Sequence, residues 1–313
     1  MVRYLFNRIA GVVGVLLAVS AITFFLMHAV PSGPFDVIQL NSNINIPDGV
    51  KKQLLIAYGL DKPMWVQYLI FMKNAVHLDF GYSFNYQTQT VSEILSKQWP
   101  YSAQLGLLTL AFSIVVGGGL GIAAAMNQHT WIDYFGTGVS IFCLATPGFV
   151  LAILMQLVFS VKLHWVPTGG WDTPAQWVMP VLANSLGPVL VLQRFTRASV
   201  ADVLGSNYVR TARAKGMPAL TVTFIHVFKN ALTPLITIGG PMAAGLITGS
   251  FFIESIFRIP GVGQFFVTAA QNRDYPLIMA TTLATTALIS VTYLLTDLAY
   301  AVVDPRVTFV KES

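Results

Sequence analysis

The stretch SNYVRTARAKGMPALTVTFIHVFK, Ser206–Lys229, is basic and helix-forming, and it lies between two long apolar runs. Gly205 and Ser206 end one helix and open another. Tyr208–Lys215 is a short run of good helix formers, and Gly216 stands where a left-handed residue closes a helix. Pro218 suits the first turn of a second helix running toward Lys229. Two short helices bent at a glycine make a shape that fits a groove on a soluble protein, with Arg210, Arg213 and Lys215 at its rim. Hydrocarbon offers such a polar segment nothing to pack against, so it needs a partner in water.

The surroundings of that segment are unusually apolar. Of 313 residues, 55% are hydrophobic and 10% charged, against about 25% charged in ordinary soluble domains. Mean hydropathy is +0.66. This is the composition of a polytopic membrane protein. One cysteine, Cys143, excludes an intrachain disulfide framework and a thiolate metal cluster. A pI near 9.3 raises the question of nucleic acid, but membrane topology accounts for the positive charge. The N-terminus has a basic start, and its apolar run Ile9–Val30 is too long for a signal-peptide core and is followed by no small-residue cleavage pattern. It reads as a first span.

A hydrocarbon core of about 30 Å takes roughly 20 apolar residues in helix. Six segments answer to that: Ile9–Val30, Ala103–Met126, Phe135–Val161, Trp177–Gln193, Leu232–Ile253 and Leu277–Val303. The fourth is the weakest, because Asn184 and Pro188 interrupt it; neighbouring helices in a bundle satisfy such groups. With the N-terminus in the cytoplasm, the inner side holds ten cations, Arg194, Arg197, Arg210, Arg213, Lys215 and Lys229 among them, and four acids. The outer side holds eight cations and eight acids. The positive-inside rule therefore puts both termini in the cytoplasm.

Between the first two spans lies the only large hydrophilic region, 31–100, with helix-like pieces at Gly49–Tyr58 and Trp65–His77 and a Gly/Tyr/Asn/Thr stretch at Tyr82–Thr90. Gly117–Gly121 and Gly245–Gly249 have the small-xxx-small spacing that lets helix backbones approach. Asp297 in the last span reads as a packing acid before a proton relay. The five histidines have no ligand spacing, so no metal site is expected, and no nucleophile is paired with a base, so no catalytic residue is expected. No G-x-x-x-x-G-K-[ST] run is present to cradle nucleotide phosphates.

YVRTARAKG followed by KNAL (Tyr208–Gly216, Lys229–Leu232) resembles the EAA loop of ABC importer permeases, in the form of the peptide/nickel class. Further blocks follow the same family in order: GPF (Gly33–Phe35), LDK-x-x-x-x-QY (Leu60–Tyr68), LDFGYSF (Leu78–Phe84), LHWVPTGGW (Leu163–Trp171), ITGSFFIESIFRIPGVGQ (Ile247–Gln264), NRDYPL (Asn272–Leu277) and DLAYAVVDPR (Asp297–Arg306). Within the class, DFG-x-SF, LHW-x-P-x-GGW and ITGS resemble the oligopeptide permease B-type subunit most. Arg210 stands where many other ABC importers carry the loop glutamate, and Lys229 where they carry a proline; both changes are usual in the peptide class.

The resemblance implies an all-α, multi-pass protein of the cell membrane with the type I ABC importer fold. The first helix takes residues 1–30, an external region with short helices 31–100, a five-span core 101–304 with the coupling loop 206–229, and a cytoplasmic tail 305–313. Tyr208, Arg210, Thr211, Ala212, Arg213, Ala214, Lys215 and Gly216 form the implied coupling helix, seated in a cytoplasmic ATPase. Glu254, Arg258, Pro260, Gly261 and Gly263 form a receptor-side gate loop, in which Glu254 and Arg258 have the i, i+4 spacing of a local ion pair. Implied partners are a homologous second permease subunit, two ABC ATPase subunits, an extracytoplasmic peptide-binding protein, the peptide cargo and membrane lipid, with no nucleic acid. ATP and Mg are bound by the ATPases, and this chain holds no cofactor. Alternatives are a dipeptide, nickel or glutathione importer of the same class. A secondary transporter driven by an ion gradient is a further one, but it wants ionisable residues at mid-membrane depth in several spans.

Overall fold

The computed structural model describes residues 2–30, 33, 35, 47–86, 88–128, 130, 131, 134, 138, 143, 145–218, 221 and 229–303. Among them the regular structure is helical, apart from one isolated antiparallel bridge between Tyr82 and Thr90. In chain order the helices are α1 (Val2–Ala29), α2 (Asp48–Ala57), α3 (Met64–Val76), α4 (Val91–Met126), α5 (Gly148–Met155), α6 (Pro174–Leu204), α7 (Asn207–Ala214), α8 (Lys229–Ile247), α9 (Phe251–Ile256), α10 (Gly263–Asn272) and α11 (Tyr275–Val303). A π-helical segment, Gln156–Lys162, continues α5. Two compact units divide the chain: Met1–Pro100 with Gly261–Leu288, and Tyr101–Pro260 with Ile289–Ser313.

The first unit buries Phe24 and Met27 of α1 with Val91, Ile94 and Leu95 of α4 and Leu277 and Met279 of α11. Beside them Phe35, Tyr58 and Phe84 meet ring to ring, with centroids 4.7 to 5.8 Å apart. The short helices expected between the first two spans are present as α2 and α3.

The second unit is built around α6, on which α5, α7, α8 and α9 all pack. Glycine makes the close approaches. A Cβ on Gly117 would lie 2.6 Å from the Val189 carbonyl oxygen, and one on Gly121 would lie 2.6 Å from Thr196 Cβ. The Gly117–Gly121 pair is thus the packing face its spacing implied. The Gly245–Gly249 pair is not. Gly245 faces open space and Gly249 is in the left-handed region at φ 97. On α8 it is Gly240 that meets a neighbour, Thr296 of α11.

Among the described residues, four helices are long and apolar enough to cross a bilayer: Phe6–Ala29, Val91–Met126, Pro174–Leu204 and Tyr275–Leu298. The fourth expected span is therefore a full helix through Pro180 and Pro188, and the Asn184 amide donates to Thr109 Oγ1 at 3.2 Å. The fifth expected span, Leu232–Ile253, is broken instead. Helix α8 stops at Ile247, Gly249 turns left-handed, Ser250 is extended, and α9 starts anew at Phe251. Of the third, Phe135–Val161, α5 and the π segment are seen, while most of 135–144 lies outside the described residues.

Candidate functional site

Helix α7 is a small helix with one greasy side. Val209 and Ala212 are buried against Val203 and Leu204 at the end of α6 and against Met217. At 100° per residue, Asn207, Tyr208, Arg210, Thr211, Ala214 and Lys215 fall on the remaining arc, and all six are exposed. The small side chains Thr211 and Ala214 lie mid-arc, with Arg210 at one margin and Tyr208 and Lys215 at the other. The side chain of Arg213 lies outside the described ones.

Both ends of α7 are fastened by hydrogen bonds. The Ser206 hydroxyl donates back to the Val203 carbonyl at 2.6 Å, while the Ser206 carbonyl accepts the Arg210 N–H at 3.2 Å. At the other end Gly216 has φ 77, and the Met217 N–H reaches over it to the Ala212 carbonyl at 3.3 Å. That is a Schellman closure, complete with the apolar contact between Met217 and Ala212. The second arm expected from Pro218 to Lys229 lies mostly outside the described residues.

The segment Glu254–Gly263 is divided rather than a single loop. Glu254 lies within α9, fully buried, and accepts from Ser102 Oγ at 2.7 Å and from the Ser250 N–H at 3.1 Å. Arg258 comes after α9 has ended, exposed, with φ 53. The i, i+4 spacing of these two residues does not put them on one helical face. Pro260 is the last residue of the second unit's share, Gly261 opens the first unit's share, and Gly263 is the first residue of α10. Around α9 the block LHWVPTGGW closes in. The Gly170 N–H donates to the Phe257 carbonyl at 2.8 Å, Gln156 donates to the Ile256 carbonyl at 3.1 Å, and Trp171 shares a core with Ile253, Phe257 and Ile259.

In the first unit a second pair of blocks meets at Asp274, which is fully buried. One carboxyl oxygen accepts from the Ser83 hydroxyl, from the Asn85 N–H at 3.1 Å and from the Asn85 amide at 3.2 Å. The other accepts the Leu277 N–H at 3.3 Å, capping α11. Tyr58 stands near, and burial first, then the Asp274 charge, raise its phenol above the ordinary value. In the sequence Asp274 and Ser83 stand only as parts of matching blocks. The usable signal was local: an aspartate immediately before an apolar helical run is a cap. The unit also holds a cavity of about 480 Å³, lined by His28, Tyr58, Gln67, Phe84 and Tyr275 among others.

Among the described residues, the basic helix α7 is fastened at both ends with an exposed outer arc, and four helices of spanning length define a polytopic membrane protein. Its fold resembles that of the MetNI methionine ABC transporter in inward-facing conformations, with a TM-score of 0.55 at 14% identity, covering 67% of this chain and 96% of that one. The chain belongs to the family of binding-protein-dependent transport system inner membrane components, which matches residues 117–309. The family's N-terminal region matches residues 1–106. Among its relatives, the oligopeptide transport system permease protein OppB of Salmonella typhimurium is 36% identical over 99% of this chain and 100% of its own length. The dipeptide transport system permease proteins DppB of Bacillus subtilis and of Lactococcus lactis are 35% identical over 100% of both chains and 38% identical over 98% of this chain and 99% of that one, respectively.

Proposed function

We propose that this chain is the permease subunit of an ATP-driven oligopeptide importer, forming half of the translocation pathway. It crosses the membrane six times with both termini in the cytoplasm. Its α7 docks into a cytoplasmic ATPase. The observation that carries the reading is α7 itself: a helix fastened at both ends, with Tyr208, Arg210, Thr211, Ala214 and Lys215 turned outward. A helix held this firmly transmits a push to α6 instead of bending away from it. The chain is non-catalytic; ATP and Mg sit in two ABC ATPase subunits, and a homologous second permease and an extracytoplasmic peptide-binding protein complete the machine. Glu254, Arg258, Pro260, Gly261 and Gly263 serve the receptor-side gate. Oligopeptide cargo rests on the DFG-x-SF, LHW-x-P-x-GGW and ITGS blocks. A dipeptide cargo is the second reading, favoured by the DppB relatives at 35% and 38% identity.

Co-purification and uptake test this together. Reversing two margin charges, Arg210→Glu with Lys215→Glu, is expected to lower recovery of the ATPase subunits roughly tenfold, as like charges meet at the rim of an interface. Accumulation of a labelled pentapeptide, with an unlabelled dipeptide as competitor, reads the cargo. Unchanged ATPase recovery in the double variant removes the docking assignment, and full competition by the dipeptide replaces the cargo assignment.

A further inference from the structure

Helix α3 lies in a stretch whose composition reads as an aqueous loop, yet its contacts are with the membrane-spanning α1. The Ser20 hydroxyl lies 2.9 Å from the Leu17 carbonyl and 2.8 Å from the Tyr68 hydroxyl, with which it shares a hydrogen bond. The Tyr68 ring lies against Phe24 and Phe25, with centroids 5.4 and 6.4 Å away. Gln67, beside it, reaches His28 at 3.2 Å.

These contacts set a depth. The apolar part of α1, Phe6–Ala29, has 24 residues, roughly 36 Å at 1.5 Å per residue, against a hydrocarbon core of about 30 Å. Ser20 is nine residues before Ala29, roughly 13 Å along the axis and so about 10 Å inside the hydrocarbon boundary. Tyr68 therefore reaches well below the headgroups, and the α3 backbone lies beside Phe24–His28, at the boundary itself.

The outer surface of α3 suits that level. Trp65, Leu69, Met72 and Val76 follow i, i+4, i+7, i+11 and form one stripe. Trp65 is 65%, Leu69 57% and Val76 78% exposed. Tyr68 and Phe71 point the other way, into the core with Phe24 and Met27. Asn74 and Ile70 face the cavity side, and Lys73 stands between stripe and water. On α1 the apolar residues Ile22, Phe25 and Leu26 are exposed to a similar degree, so the stripe lies level with an exposed apolar face of the spanning helix.

We propose that α3 is an interfacial membrane helix, whose Trp65–Leu69–Met72–Val76 stripe is covered by the acyl chains of the leaflet that receives the Ala29 end of α1. In the orientation proposed above this is the outer leaflet. The occupant is lipid and not a protein partner, because the depth is set by α1 and the stripe lies level with its exposed apolar face.

The test uses the assembled transporter in phosphatidylcholine/phosphatidylglycerol nanodiscs, with Cys143→Ala as background and Leu69→Cys, Val76→Cys or Asn74→Cys carrying a nitroxide. Phe25→Cys is the lipid-facing reference. Labels at 69 and 76 are expected to match 25, with oxygen accessibility several-fold above that to a water-soluble nickel chelate, and the label at 74 to show the reverse. Nickel access at 69 and 76 equal to that at 74 would place α3 in water. Low access to both reagents would mean a protein covers it. Either result overturns the proposal. A label-free measurement stands behind these: the wild-type minus Trp65→Phe emission difference should be quenched by brominated acyl chains, and quenching by iodide instead is equally contrary.

Discussion

Replacing Gly216 with proline is expected to bring coupled uptake down to background while the protein stays in the membrane at wild-type abundance. Gly216 has φ 77, and proline holds φ near −65°, so the turn after α7 cannot form. Proline also drives Lys215 out of the helical region. The Met217 N–H to Ala212 carbonyl bond and the apolar contact beneath it are lost together. A forced backbone conflict of this kind costs about 3 kcal/mol or more. Against it stands mainly the burial of Val209 and Ala212, together about 3 kcal/mol, so α7 detaches from α6. Among the described residues, the apolar cluster that holds α7 is Val203, Leu204, Val209, Ala212 and Met217, a small set next to the bilayer-crossing helices. Labelled-peptide accumulation in ATP-loaded proteoliposomes measures the effect, with ATP hydrolysis followed in parallel to show uncoupling. Gly216→Asn is the companion, since asparagine visits the left-handed region; it should keep most of the uptake. Wild-type uptake in the proline form would mean that the fastening of α7 is irrelevant to transport.

The turn at Gly216 was legible because capping is local chemistry: good formers, then a glycine, then a proline two residues on. Spans with unbroken apolar runs were legible for the same reason, since bilayer thickness and helix rise leave one solution. The break after Ile247 was not. Gly249 has the spacing of a packing glycine relative to Gly245, and nothing in the residue string separates a glycine used for a left-handed turn from one used for close approach. Nor were the contacts between distant segments legible. Ser83 and Asp274 are 191 positions apart, and Gln156 and Ile256 are 100 apart; no periodicity links them, only the packed chain does. The surroundings of Glu254 were not legible either. Its i, i+4 spacing from Arg258 suggests a local ion pair, whereas the carboxylate is buried in α9 and accepts from the Ser102 hydroxyl and the Ser250 N–H. For α3 the helix was legible but its apolar outer stripe was not, because the hydrophilic neighbours 31–62 set the average of the region.

Asp274 carries the largest stability effect expected in the first unit. Its carboxyl gathers the Ser83 hydroxyl, two donors of Asn85 and the Leu277 N–H, at a position with no solvent exposure. Asp274→Ala strands buried donors from both chain segments and strips the cap from α11. An unsatisfied buried donor costs about 1–3 kcal/mol and a lost cap about 1 kcal/mol, so a total loss of about 3–4 kcal/mol is expected. Thermal unfolding of the purified protein, followed by exposure of the first unit to protease, should shift down by roughly 10 °C. Asp274→Asn separates the two halves of the role. Three of the four bonds converge on one oxygen, so the asparagine carbonyl takes that position and its NH₂ turns toward Leu277, where it cannot accept. The asparagine form should then lose little more than the cap and unfold between wild type and alanine. If the asparagine form falls as far as the alanine form, the burden rests on the carboxylate charge and not on the count of donors it receives. If neither shifts, Ser83 and Asn85 are held by their own loop, and the meeting of the two blocks at Asp274 is a consequence of the fold rather than one of its causes.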